Sequence, residues 1–120
     1  MQEKVILLLP LTFNDGSVVP QETFDAIFDE LFVLCDGYTV AGEVRGAYRM
    51  QTGAKQVDSS VEVWVAVGAD QLDELRRLVA GFGTMLGQET MYFERTGASV
   101  EFVAPETPPP TPHVGDLPHE

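Results

Sequence analysis

Between Val5 and Val103 the apolar residues switch repeatedly between every second position and every third or fourth, and this rhythm most narrows the folds open to the chain. Strand side chains alternate across a sheet whereas helical ones recur about every 3.6 residues, so each switch marks a new element. Val5 to Phe13 is a nearly continuous apolar run closed by Asn14-Asp15-Gly16, as in a central strand buried on both faces. Pro20 suits a first helical turn. Phe24, Ile27, Phe28, Leu31, Leu34 and Cys35 then form a stripe with acids between them, and Asp36-Gly37 ends that helix. Tyr38 to Met50 alternates, with Tyr38, Val40, Val44 and Tyr48 to one side and Thr39, Glu43, Arg45 and Arg49 to the other. Val57 to Val67 is a third strand, most simply a hairpin partner of the second. Asp70 and Asp73 resemble a capping box ahead of a helix that buries Leu72, Leu75, Val79, Phe82 and Leu86. Glu89 to Arg95 and Ala98 to Val103 read as a last strand, or as a hairpin turning at Thr96-Gly97.

The order strand, helix, strand, strand, helix, strand is two split βαβ halves. Right-handed crossovers in both halves give an α+β, ferredoxin-like βαββαβ two-layer sandwich, an antiparallel sheet with both helices on one face. A chain of 120 residues, 44% of them hydrophobic, suffices for one core and not two. The predicted domain spans 3–103. Residues 104–120 hold six of the eight prolines and both histidines with almost nothing to bury, and are predicted to be a Pro-rich disordered tail.

Charge removes several function classes. Seven basic residues stand against nineteen acidic ones, a net −12, which disfavours nucleic acid and anionic membranes as partners. Only Glu106, Asp116 and Glu120 of those acids lie in the tail, so the acidity belongs to the domain. A single cysteine allows no intrachain disulfide and no multi-cysteine zinc site, and Cys35 continues an apolar stripe as a small core residue. The start, MQEKVILLLPLTF, has too short an apolar run and no small-residue cleavage site, so it reads as a strand and not a signal peptide. No apolar stretch reaches bilayer length, and a cytoplasmic location is expected. His113 and His119 both fall in the tail, leaving the domain without a histidine for general-base or metal chemistry; no metal and no cofactor is expected. The glycines of GFGTMLG, residues 81–87, close a helix, whereas a phosphate-binding fingerprint places them between a strand and a helix start.

What remains is the sheet face without helices. In SVEVWVAVGAD, residues 60–70, Val61, Val63, Val65 and Val67 share one side, so Trp64 falls on the other with Ser60, Glu62 and Ala66. By the same alternation Glu43, Arg45, Arg49 and Asp58 join Trp64 and Glu62 on the open face, with Leu8 adding apolar area. Burying one large apolar side chain is worth about 1.5–3 kcal/mol, enough to call for a cover. Three covers present themselves: a second copy packed sheet to sheet; a small anionic ligand held by Arg45 and Arg49 and stacked on Trp64; and the chain's own C-terminal segment. Arg45 and Arg49 also stand within reach of cross-strand ion pairs to Glu43, Asp58 and Glu62.

DGYTV at 36–40, GAYR at 46–49, DSSVEVWVAV at 58–67 and LGQETM at 86–91 resemble stretches of a domain-of-unknown-function family of small bacterial proteins. The resemblance implies architecture and no reaction. It draws attention to Arg49, Gln88 and Glu89, which match recurring polar positions of that family. The reading is a self-associating homo-oligomer, with Arg45, Arg49, Trp64, Glu62, Tyr92, Gln88 and Glu89 as ligand-binding or interface residues. The alternative is a small enzyme of the dimeric α+β barrel type acting on a small organic molecule in a pocket between sheet and partner, which an enclosed lining of Trp64, Tyr92 and Arg45 would favour.

Overall fold

The computed structural model describes residues 2–107. The elements are β1 (Gln2–Pro10), α1 (Gln21–Cys35), β2 (Thr39–Arg49), β3 (Lys55–Gly68), a 3-10 turn (Ala69–Gln71), α2 (Leu72–Leu86) and β4 (Phe93–Val100). They form one four-stranded sheet in the order β2-β3-β1-β4, with every pairing antiparallel. Tail residues beyond 107, His113 and His119 among them, lie outside the described residues; β4 ends at Val100, and Phe102 and Val103 are exposed.

One core lies between the sheet and the two helices. Val5, Leu7 and Leu9 of β1 and Val63, Val65 and Val67 of β3 meet Phe24, Ile27 and Leu31 of α1 and Leu75, Val79, Phe82 and Leu86 of α2. This is the period-two face of two central strands set against two 3.6-period stripes. Cys35 is buried in the same core.

Local chemistry sets the ends of the elements. The Pro20 carbonyl accepts from the Thr23 N–H at 3.0 Å to open α1, and Asp36 closes it in the left-handed region at φ 59. Ahead of α2 the expected capping pair, Asp70 with Asp73, is replaced by Gln71, whose Oε1 accepts from the Gly68 N–H at 3.3 Å. The 3-10 turn that precedes α2 moves the start of the helix past Asp70. At the other end Gly87, at φ +65, donates to the Thr84 carbonyl while the Gln88 N–H donates to Gly83 at 2.9 Å. Gly87→Ala places a Cβ in that left-handed position and is expected to lower stability by about 1 kcal/mol, read as a drop in the urea midpoint at unchanged slope.

Two glycines depart from the simple alternation. Between Val40 and Gly42 the β2–β3 register shifts: Val40 pairs with Val63, and the next residue in register is Gly42, opposite Glu62, at φ +132. Ala41 is the extra residue of a bulge. On β4 the register shifts between Glu3 and Val5, and the stretch around Gly97, φ +77, loops out of one continuous strand. The turn expected at Thr96-Gly97 is therefore a bulge and not a hairpin.

Candidate functional site

Directly paired antiparallel residues share a sheet face, so the β2 bulge decides where the expected site residues lie. Trp64 pairs with Ile6 and Thr39, and Glu62 with Leu8 and Gly42, on the helix-free face. Beyond the bulge Val44 pairs with Ser60, Gly46 with Asp58 and Tyr48 with Gln56, also on that face. Glu43, Arg45 and Arg49 pair with Val61, Ser59 and Lys55, on the side of the helices. The expectation that Arg45 and Arg49 share a face with Trp64 is corrected: one inserted residue reverses the parity of everything that follows it. The expected ion pairs to Glu43, Asp58 and Glu62 do not form either. Among the described residues the bridges are Arg76–Asp73 at 2.7 Å and Arg95–Glu3 at 2.6 Å, and Arg49 donates to the Gly53 carbonyl at 3.3 Å.

The open face is apolar along its middle. Ile6, Leu8, Val44 and Trp64 are half-buried there, Ala66 is buried, and the Lys4 ammonium lies 4.8 Å from the Trp64 ring centre. Tyr48 lies across Gly46, where a Cβ would come within 2.9 Å of three of its ring and hydroxyl atoms. Phe102 lines a shallow cleft with Trp64, Tyr38 and Gln2, but it is 78% exposed, so the described residues that follow β4 approach the indole without covering it.

At the far end of the same face a cleft of about 470 Å³ opens where three connections meet. Its floor is Leu8, Pro10 and Ser60, and its walls include Tyr48, Asp58, Gln88, Glu89 and Tyr92. Asn14 organises it. The β1–α1 connection turns tightly there, with Gly16 N–H donating to Phe13 at 2.9 Å and Ser17 N–H to Asp15 Oδ1 at 2.9 Å, which presents Asn14. Asn14 Nδ2 donates to the Gly87 carbonyl at 2.8 Å, and its Oδ1 accepts from Gln56 at 3.2 Å and Gln88 at 3.4 Å. Gln56 also donates to Asp58 at 2.9 Å, and Gln88 to the Leu86 carbonyl at 3.2 Å.

Of the residues expected at a site, the cleft brings together Arg49, Tyr92, Gln88 and Glu89, while Arg45, Glu62 and Trp64 lie outside its lining. Within one copy the register sets Trp64 and Arg45 on opposite faces of the sheet. Asn14, Gln56 and Tyr48 lack any spacing signal, because the turn and the bulge that place them act through space. Tyr92 donates to Glu94 at 2.6 Å, and that hydrogen bond, with the negative charges of Glu94 and Glu62 nearby, holds the phenol above its ordinary range.

The chain shares its architecture with solved structures of low sequence similarity. The divalent cation tolerance protein CutA1 of Thermus thermophilus superposes with a TM-score of 0.56 at 15% identity, covering 83% of this chain and 88% of that one. A phage SAM lyase in complex with S-methyl-5'-thioadenosine gives 0.55 at 13% identity, covering 80% and 82%. The fold is ferredoxin-like. No protein-family model and no curated protein matches the sequence. Likeness at this level carries the fold and nothing of either protein's activity.

On the ferredoxin-like scaffold the described residues hold no cluster of three or more metal-ligating side chains, and none of their helices is long and apolar enough to cross a membrane. Burial, and secondarily the Asp36 charge, pushes the Cys35 thiol up from 9.0 to about 11. The folded state thus disfavours the thiolate: its stabilising contribution is present below the ordinary thiol value and is lost as pH rises through about 11. Cys35 is expected to resist iodoacetamide in the native protein near neutral pH and to react at the rate of a free thiol in urea, as mass spectrometry would read.

Proposed function

We propose that the chain is a self-associating α+β domain in which a second copy covers the helix-free face of the sheet. The observation that carries this reading is the apolar strip of Ile6, Leu8, Val44 and Trp64 on a face that no element among the described residues covers, with Tyr48 and Tyr92 beside it, 45% and 44% exposed. An apolar area of this kind is the usual mark of an interaction surface. The distribution of charge favours a second copy. Lys4 lies toward the β1 start, while Glu62, Asp58 and Glu94 lie from its middle to its far end. A twofold axis lying between the sheets and running across the strands reverses one sheet against the other, bringing each Lys4 toward the partner's acids and satisfying both copies with one arrangement. Light scattering on a sizing column tests it: an oligomer at micromolar concentration is expected, and a strict monomer overturns the reading.

A second reading, a small enzyme acting on an organic molecule, is favoured by the cleft at the end of the same face. Its volume of about 470 Å³ lies within the range of small-molecule sites. Under this reading the chemistry falls to the carboxylates and phenols that line the cleft among the described residues, Asp58, Glu89, Tyr48 and Tyr92.

A further inference from the structure

The cleft that Asn14 organises has an uneven hydrogen-bonding inventory. Five of its six carboxamide N–H donors are spent inside the protein: one of Asn14 Nδ2 on the Gly87 carbonyl, both of Gln56 Nε2 on Asn14 and Asp58, and both of Gln88 Nε2 on Asn14 and the Leu86 carbonyl. The cleft's cation, Arg49, directs Nη1 to the Gly53 carbonyl. Acceptors are left over. Within the described hydrogen bonds Gln56 Oε1 and Gln88 Oε1 accept nothing, and the carboxylates of Asp58 and Glu89 stand in the same lining. Apart from Arg49 and one N–H of Asn14, the polar side chains of the lining that remain open to a ligand offer oxygen, and such a lining selects ligands that donate. The two carboxylates select positive charge and stand against an anion.

The apolar part of the lining adds a shape. Tyr48 and Tyr92 offer two exposed aromatic rings, with Leu8, Met91 and Phe93 beneath and beside them. Ring faces hold planar groups by stacking and cations by the quadrupole of the ring. The volume of about 470 Å³ holds a molecule of one or two fused rings with a short side chain.

We infer that this cleft binds a small organic cation, a planar aromatic ring carrying a protonated amine whose N–H groups donate to Asp58, Glu89 and the free amide oxygens of Gln56 and Gln88. This goes beyond self-association: Ile6, Val44 and Trp64 lie outside the lining, while Leu8, Tyr48 and Tyr92 border both surfaces. It also departs from the anionic ligand expected from Arg45 and Arg49: the bulge removes Arg45 from the face, and acidic side chains outnumber Arg49 in the cleft.

The test uses the full-length protein with tryptamine as probe and indole-3-propionate as an anion on the same ring, followed by calorimetry and by the side-chain amide resonances of Asn14, Gln56 and Gln88. Tryptamine is expected to bind at least about tenfold more tightly than indole-3-propionate, to shift those amide signals, and to weaken with added salt. Asp58→Asn combined with Glu89→Gln keeps the shape, removes both negative charges and turns one acceptor oxygen of each group into an N–H donor, and is expected to cost about tenfold or more in tryptamine affinity. Should the double variant fail to fold, Glu89→Gln alone, at an exposed position, is expected to cost about threefold. Equal or tighter binding of the propionate overturns the inference. So does binding of neither probe at about 10 mM, or full tryptamine affinity in the variant that folds. The size of the particle is read separately, so a monomer that binds tryptamine removes only the self-association reading, and an oligomer that does not bind it removes only this one.

Discussion

Phe82→Ala is expected to lower stability by about 3–5 kcal/mol, read as a large fall in the urea midpoint with little change in slope. Phe82 is 1% exposed on the inner stripe of α2, in the core that Leu7, Val65 and Leu75 also fill. Truncation there loses the transfer energy of the ring and leaves a cavity, because strands that are hydrogen-bonded on both sides close poorly over a void. Domains of this size are stable by about 5–15 kcal/mol in total, so the variant stands near its unfolding threshold at room temperature. Phe102→Ala removes the same side chain from a position 78% exposed beyond β4, and is expected to change stability by less than about 0.5 kcal/mol. The contrast between the two phenylalanines tests where the core ends. A midpoint for Phe82→Ala within about 1 kcal/mol of the parent contradicts the packing described.

The same contrast explains why the fold is legible in the chain and the site is not. Core positions repeat. Val63, Val65 and Val67, or Leu75, Val79, Phe82 and Leu86, announce a face through their spacing, and the buried residues are the ones that the spacing selects. The ends of elements are legible where chemistry forces them, at Pro20, Asp36 and Gly87. A bulge has no period. The only sign of it in β2 is Gly42, a glycine inside a strand, which commonly marks an inserted residue. Read without the bulge, alternation carries Arg45 to the wrong face, and Gly97 misleads the reading of β4 in the same way. Alternation puts Trp64 on the correct face because no irregularity interrupts the register between β1 and β3. Asn14, Gln56 and Gln88 converge from parts of the chain 42 and 74 residues apart, and no local pattern predicts such a meeting.

Ile6→Lys is expected to convert the assembly to monomers while leaving the domain folded. Ile6 lies on the central strand between Trp64 of β3 and Glu94 of β4, on the face opposite the buried Val5 and Leu7. In a lone molecule a lysine there reaches water and has a carboxylate directly across the strand, so the melting temperature stays within a few degrees of the parent. Between two paired sheets the same ammonium loses its water, and a twofold arrangement doubles the cost by burying one from each copy. Desolvating an ion costs several kcal/mol even after relaxation, and about 1.4 kcal/mol is already tenfold in affinity. The substitution is therefore expected to weaken self-association by about a thousandfold or more, leaving monomers at micromolar concentration. Because Ile6 lies outside the cleft lining, tryptamine affinity is expected to persist in the monomer. An Ile6→Lys protein that folds and still elutes as the parent oligomer shows that another surface, such as the exposed edge of β2, holds the copies together, and the open face then loses its claim to the partner.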